Sequence, residues 1–299
     1  MIESTRKTKS ALLILWAFIL ASLTFSLGAI PLNGLYRSMG RLKYWMFWSL
    51  ISTVIFAMGF PALAAGLVAI CVVVGIFNEV RIHGYSYLSA GFISVLFTSS
   101  IVFAGAYVWA KAFNVKWYLL FEEYLNKNIT AFFPQSADSS AAIDIKQLIM
   151  QIPSAGVILL VLSLFMALLF ERRMMLWLDL PVLQRERLIT FKLPDSTIWV
   201  FIFSLLLAFI KTDISWVNVI GLNLLNVVSL LYFFQGLAVV ATYMKITKTS
   251  PFWRSVIYIF VILQLFIAVV ALGVMDFWFD FRLKMIKKAA EIKTQKKLE

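Results

Sequence analysis

The stretch Trp216-Val-Asn-Val-Ile-Gly-Leu-Asn-Leu-Leu-Asn-Val-Val-Ser-Leu-Leu-Tyr-Phe-Phe-Gln-Gly-Leu-Ala-Val-Val-Ala-Thr-Tyr-Met244 decides the fold. It is apolar for longer than the roughly 20 residues a helix needs to cross a bilayer. Yet it carries Asn218, Asn223, Asn226, Ser229 and Gln235, and no charge. An amide in hydrocarbon is costly unless it finds a partner, because no water is there to bond it. At about 100° per residue, Asn218, Asn226, Ser229 and Gly236 fall in a sector of roughly 80°. That sector is expected to face other helices or a cavity rather than lipid. Asn223 and Gln235 point elsewhere, so the polar face is not clean.

Composition extends this reading to the whole chain. Its 299 residues are 62% hydrophobic and 14% charged, with a mean hydropathy of +0.90. A soluble domain is about 45–50% apolar and about 25% charged. The expected fold class is therefore all-α: a polytopic transmembrane bundle of about eight helices, forming a single domain over residues 1–299. The net charge is +12, from 27 Lys+Arg against 15 Asp+Glu. In a soluble protein that excess would suggest nucleic acid. Here the bases sit in short loops and at the ends, as anionic headgroups and the positive-inside bias require. The lipid bilayer is the expected partner and nucleic acid is not. The single cysteine, Cys71, excludes an internal disulfide and a cysteine metal cluster. The single histidine, His83, reads as a loop or interface side chain. No metal or cofactor is expected.

Arg6, Lys7 and Lys9 precede an apolar run over residues 11–30. A cleaved signal peptide has an apolar region of only about 7–15 residues, so this run reads as an uncleaved first helix with its N-terminus in the cytoplasm. It contains Ala17 and Ala21, small residues at a spacing that lets two helices approach closely. A basic break follows over 31–43. Pro61, after Gly59-Phe60, splits or bends the next apolar stretch, because proline lacks the amide hydrogen and clashes inside a helix. A polar loop is expected over 78–87 and a span over 88–110. Residues 111–154 read as an amphipathic insertion outside the bilayer. It comprises an interfacial helix over 113–133, a hinge over 135–142 and a short helix before Pro153. Asn128-Ile-Thr130 matches the glycosylation triplet. Next come a span over 155–170, a basic loop over 171–196 and a short apolar segment over 197–210. After the Asn-rich helix, a last span over 255–275 is interrupted by Gln264, and a basic tail runs over 282–299. If the 171–196 loop and the tail both lie in the cytoplasm, the crossings between them must be even in number. Three are counted, so either the 197–210 segment is re-entrant or one basic region lies outside against the positive-inside bias.

Asn218, Asn223, Asn226, Tyr232, Gln235 and Gln264 are the candidate substrate-binding residues. Convergent amides and a hydroxyl beside Gly236, which admits close backbone, can line a small-molecule pocket. The competing reading is hydrogen bonding between helices, worth about 0.6 kcal/mol per bond. Asp276, Asp280 and Arg282 are expected to anchor a helix end at the water interface. No catalytic residue is expected: there is no HExxH pair, phosphate-cradling glycine loop or nucleophile elbow. An enzyme would have to draw its carboxylate from Asp213, Asp276 or Asp280. There is no nucleotide-binding domain either.

Three patterns resemble the YybS-like family of bacterial membrane proteins, a domain of unknown function. They are Phe191-Lys-Leu-Pro194 ahead of Trp199, Asn223 with Tyr232-Phe-Phe-Gln235-Gly236-Leu-Ala-Val-Val240, and Leu272-Gly273 with Asp276 and Asp280-Phe-Arg282. The resemblance is specific over about residues 190–282. That family looks related to the S components of energy-coupling-factor vitamin transporters. The resemblance implies an S-component-like bundle in a bacterial inner membrane, binding a small molecule and relying on a separate energising membrane partner. In S components an Ala-xxx-Ala face on the first helix meets that partner, and Ala17 and Ala21 match it. The alternative is a scaffold that holds a protein partner through residues 111–154 and the basic tail, without transport.

Overall fold

The computed structural model describes residues 2–116, 119, 121–123, 127, 145–181, 188–210 and 214–298. Among these residues the secondary structure is helical, with no strand. Contacts group the chain into two compact units, Met1–Gln184 and Arg185–Glu299. The expected interfacial helix over 113–133 lies mostly outside the described residues. The hinge over 135–142, the Asn128-Ile-Thr130 triplet and Asp213 lie outside them entirely.

The N-terminal unit contains α1 (Ile2–Leu23), α2 (Phe25–Met39), α3 (Arg41–Ala57), α4 (Pro61–Ile82), α5 (Tyr87–Ala112), the short α6 (Ile145–Met150) and α7 (Ile152–Trp177). The first apolar run is not one helix. It breaks at Thr24, which is extended (φ −149°), and returns as α2, which carries Pro31 inside it. The hairpin closes tightly because Gly28 has no side chain: a Cβ there would lie 2.8 Å from the Cβ of Ala21. Ala17 and Ala21 are 1% and 5% exposed, so this small-residue pair is buried within the chain and not open to another helix. Pro61 opens α4, as its position requires. That helix runs beyond residue 77 to Ile82, so Asn78 belongs to a buried helical face rather than to a loop. The amide is tolerated there because its Nδ2 donates to Val74 O and Asn33 Oδ1, both at 2.9 Å. Tyr44 and Trp48 fill the core with Leu32, Leu35, Val74 and Phe77. The Tyr44 hydroxyl donates to Cys71 O at 2.9 Å.

The C-terminal unit contains a 3-10 turn (Leu188–Thr190), α8 (Thr197–Phe209), α9 (Ser215–Ile246), α10 (Pro251–Gln264), α11 (Phe266–Phe279) and α12 (Phe281–Leu298). The 32-residue α9 is the Asn-rich stretch, and α8 and α11 pack along it. Glycine sets both approaches. A Cβ on Gly221 would strike the backbone of Leu207 and Ala208 in α8. A Cβ on Gly236 would strike Val269 O, and one on Gly273 would strike Tyr232 O. The last expected span is two helices, α10 and α11, bent by 100° at a break after Gln264.

Among the described residues, four helices are long and apolar enough to cross a membrane: Pro61–Ile82, Tyr87–Ala112, Ile152–Trp177 and Trp216–Ile246. The α10–α11 pair makes five if it is one span. The other described helices are shorter or less apolar, so length and composition do not supply the eight spans expected. Large apolar side chains such as Phe92, Leu96 and Phe97 on α5 are exposed on the protein surface, which is the surface a bilayer would cover.

Candidate functional site

The polar residues of α9 do not act as one face. Asn223 Nδ2 donates back to Val219 O at 2.8 Å, so that amide serves its own helix. Asn218 and Asn226 are half-buried, and Asn218 Oδ1 is enclosed without a partner. Tyr232 is buried, with the Phe201 ring edge-on at 5.4 Å. Gln235 is buried, and both ends of its amide are used. Oε1 accepts from Leu193 N–H at 3.0 Å, and Nε2 donates to Gly273 O at 3.1 Å. One side chain thus joins the segment ahead of α8 to α9 and α11. Gln235→Leu would orphan the Leu193 N–H, and unfolding in detergent is expected to show a loss of about 1–3 kcal/mol. Gln264 stands apart: it is exposed at the end of α10.

Asp276 and Arg282 do not sit at a water interface. Asp276 is 1% exposed. Its Oδ2 accepts from Arg282 Nε at 3.0 Å and lies 2.8 Å from Nη2. Arg282 Nη1 donates to Ile189 O at 3.3 Å and to Phe191 O at 2.8 Å. In a continuous helix, residues six apart do not face each other. Here α11 ends at Phe279 and Asp280 adopts the left-handed conformation (φ 45°), so the chain bends back and the pair closes. Asp280 stays outside, with Oδ1 3.5 Å from Lys192 Nζ. Asp276 Oδ1 has no hydrogen-bond partner among the described residues. Gln235 and Arg282 therefore both grip residues 189–193, and this part of the unit is a lock between segments. An open groove of about 490 Å³ lies against Trp199, Val200, Ile202, Phe203 and Leu206 of α8. It is apolar and contains none of the candidate residues.

A second polar constellation lies in the N-terminal unit, and sequence reasoning missed it. Lys9 Nζ is 2.6 Å from Asp179 Oδ2, Arg37 Nη2 is 3.2 Å from Glu171 Oε1, and Arg41 Nε is 2.8 Å from Glu79 Oε1. Trp45 Nε1 also donates to Glu79 Oε1, at 3.2 Å. These pairs gather α1 near its start, the α2–α3 turn, and the C-terminal parts of α4 and α7 at one end of the unit. The α4–α5 turn, where Gly84 takes φ 86°, brings the guanidinium of Arg81 over the ring of Tyr87, with Cζ 3.5 Å from the centroid. Arg81 Nη1 donates to Tyr85 O at 2.9 Å. His83 is exposed in the same turn, with Nδ1 2.8 Å from Glu79 O.

Among the described residues, this end encloses polar atoms that have no hydrogen-bond partner within the protein: Asn33 Nδ2, Asn78 Oδ1, Arg37 Nε, Arg81 Nε and Tyr87 Oη. The orientation of Asn78 is fixed, since the atom facing Val74 O must be its nitrogen. Asn33 must then present its oxygen to Asn78, which leaves Asn33 Nδ2 free. Each buried orphan costs about 1–3 kcal/mol. The available signal was the helix boundary. Ser86 accepts from Ser89 N as the N-cap of α5, which confines the turn and leaves Asn78 to α4. Among the described residues no His/Cys/Asp/Glu group is arranged to hold a metal ion.

Among known families, the one described as "Predicted membrane protein (DUF2232)" matches residues 10–277. No curated protein matches the chain. No solved structure matches it either.

Proposed function

The chain belongs to the DUF2232 family of predicted membrane proteins, and on that premise we propose that it binds a small polar molecule at the polar end of its N-terminal unit. It is a multi-pass membrane protein whose apolar helices contact lipid. We place it in a bacterial inner membrane, with the base-rich end of Lys9, Arg37, Arg41, Arg81, Arg172 and Arg173 on the cytoplasmic side. It has no catalytic role in this reading. An S-component-like transport role would need energy from a separate membrane partner, and the buried Ala17 and Ala21 are not the surface that partner would meet.

The observation that carries the reading is the concentration of enclosed, unpartnered polar atoms around Asn33, Asn78, Arg81 and Tyr87. Native proteins leave few such atoms without a partner, and a cluster of them fits a binding site for a polar molecule. On α9, where a pocket was expected, Asn223 and Gln235 serve packing: Asn223 Nδ2 donates to Val219 O, Gln235 Oε1 accepts from Leu193 N–H and Gln235 Nε2 donates to Gly273 O.

Native mass spectrometry of the full chain extracted in mild detergent tests this. The expected spectra show a bound small molecule, with affinity about tenfold lower in Asn78→Leu, equivalent to about 1.4 kcal/mol. A ligand-free protein that carries a stoichiometric protein partner would overturn the reading in favour of a scaffold.

A further inference from the structure

We infer that the molecule held at this end presents a phosphate group to Arg81. The inference rests on the binding proposed above and adds the class of ligand. Three of the other bases are matched: Lys9 with Asp179, Arg37 with Glu171 and Arg41 with Glu79; Arg172 and Arg173 are exposed. Among the described residues no carboxylate lies within ion-pair distance of Arg81. Its guanidinium is held by a backbone carbonyl and the face of an aromatic ring. The C-terminal dipole of α4 offsets part of its charge but supplies no acceptor to Nε, which is enclosed and unpartnered.

The unpartnered atoms are also unequal in kind. Arg37 Nε, Arg81 Nε and Asn33 Nδ2 only donate, the Tyr87 hydroxyl can donate, and Asn78 Oδ1 alone must accept. Such a set suits an acceptor-rich anion that carries at least one hydroxyl or protonated oxygen. A guanidinium fork gives a phosphate two parallel hydrogen bonds, stronger than neutral ones. Asn33 and Asn78 are 2% and 1% exposed, so their free atoms lie inside the protein rather than in bulk water. A lipid headgroup and a free phosphate ester share this chemistry.

The test uses the full chain in nanodiscs of phosphatidylcholine, read by thermal unfolding. One probe is inorganic phosphate added to those discs. The other is replacement of part of the lipid by phosphatidylglycerol. At least one is expected to raise the midpoint by about 2–4 °C. A response to phosphatidylglycerol alone assigns a headgroup, and a response to inorganic phosphate assigns a soluble phosphate. Arg81→Gln should abolish the rise and Arg81→Lys should keep part of it. Tyr87→Phe preserves the ring beneath the guanidinium and removes only the unpartnered hydroxyl. It should weaken binding several-fold without lowering the apo midpoint, so it remains informative if Arg81→Gln does not fold. Silence of the wild type to both probes overturns the inference, as does an equal response in Arg81→Gln or an undiminished one in Tyr87→Phe. Co-purification of an uncharged ligand with silence to both probes would sink the phosphate assignment alone and leave the binding role standing.

Discussion

Gly236→Ala and Gly273→Ala are each expected to destabilise the C-terminal unit by about 3 kcal/mol, the upper end of ordinary overpacking. A methyl on Gly236 strikes Val269 O and comes within 2.8 Å of Val269 Cγ1. A methyl on Gly273 strikes Tyr232 O and comes within 2.8 Å of Gly236 N. The obstructing atoms are mainly backbone, so no rotamer change relieves them and α9 must part from α11. That separation would also stretch the Gln235–Gly273 bond. The helix-propensity gain from alanine, about 1 kcal/mol, is too small to compensate. Gly91 and Gly105 on α5 provide the control, since a Cβ at either meets nothing within 4 Å. Alanine at those two sites should be neutral or stabilising by up to about 1 kcal/mol. Denaturant unfolding in one detergent measures all four variants. Equal effects at Gly236 and Gly91 would mean that the close crossing of α9 and α11 does not exist.

Arg282→Met should be the other most damaging substitution, costing about 3–5 kcal/mol. It removes the partner of a carboxylate that is 1% exposed and whose second oxygen already lacks one. It also releases the carbonyls of Ile189 and Phe191. Replacing both partners, Asp276→Leu with Arg282→Met, leaves no buried charge and should recover most of the loss, because an apolar pair avoids the desolvation penalty. If the single variant unfolds no more easily than wild type, the pair is solvated and the lock at residues 189–193 is not formed by it. If the double variant is worse than the single, its value lies in the carbonyl contacts rather than in the charges.

The membrane character was legible because it depends on composition and run length, which no tertiary contact alters. Pro61 was legible for a local reason, since a proline opening a helix sacrifices no hydrogen bond. The Gln235 amide was recognised as needing a partner, but the partner's identity was not, because Leu193 is 42 residues away. Asp276 and Arg282 were placed in water because helical spacing keeps positions six apart from pairing. The left-handed turn at Asp280 overturns that geometry, and a non-glycine residue in that conformation gives little warning in the sequence. The α1–α2 hairpin was hidden for a similar reason: apolar character continues straight through Thr24, and only the fit of Gly28 against Ala21 shows where the chain folds back. The polar end of the N-terminal unit assembles residues from α2, α4, α5 and α7, and each looked like an ordinary loop or helix-end polar group by itself.

The placement of the ligand at the polar end of the N-terminal unit, and not beside Gln235, is tested most directly by a density map of the full chain in lipid nanodiscs at side-chain resolution. Non-protein density within hydrogen-bonding distance of Arg81 Nε, Asn33 Nδ2 and Asn78 Oδ1 is the expected result, with none beside Gln235. Arg81, Asn33 and Asn78 found bonded only to neighbouring side chains or single waters, or a ligand seated against Gln235 instead, would contradict it.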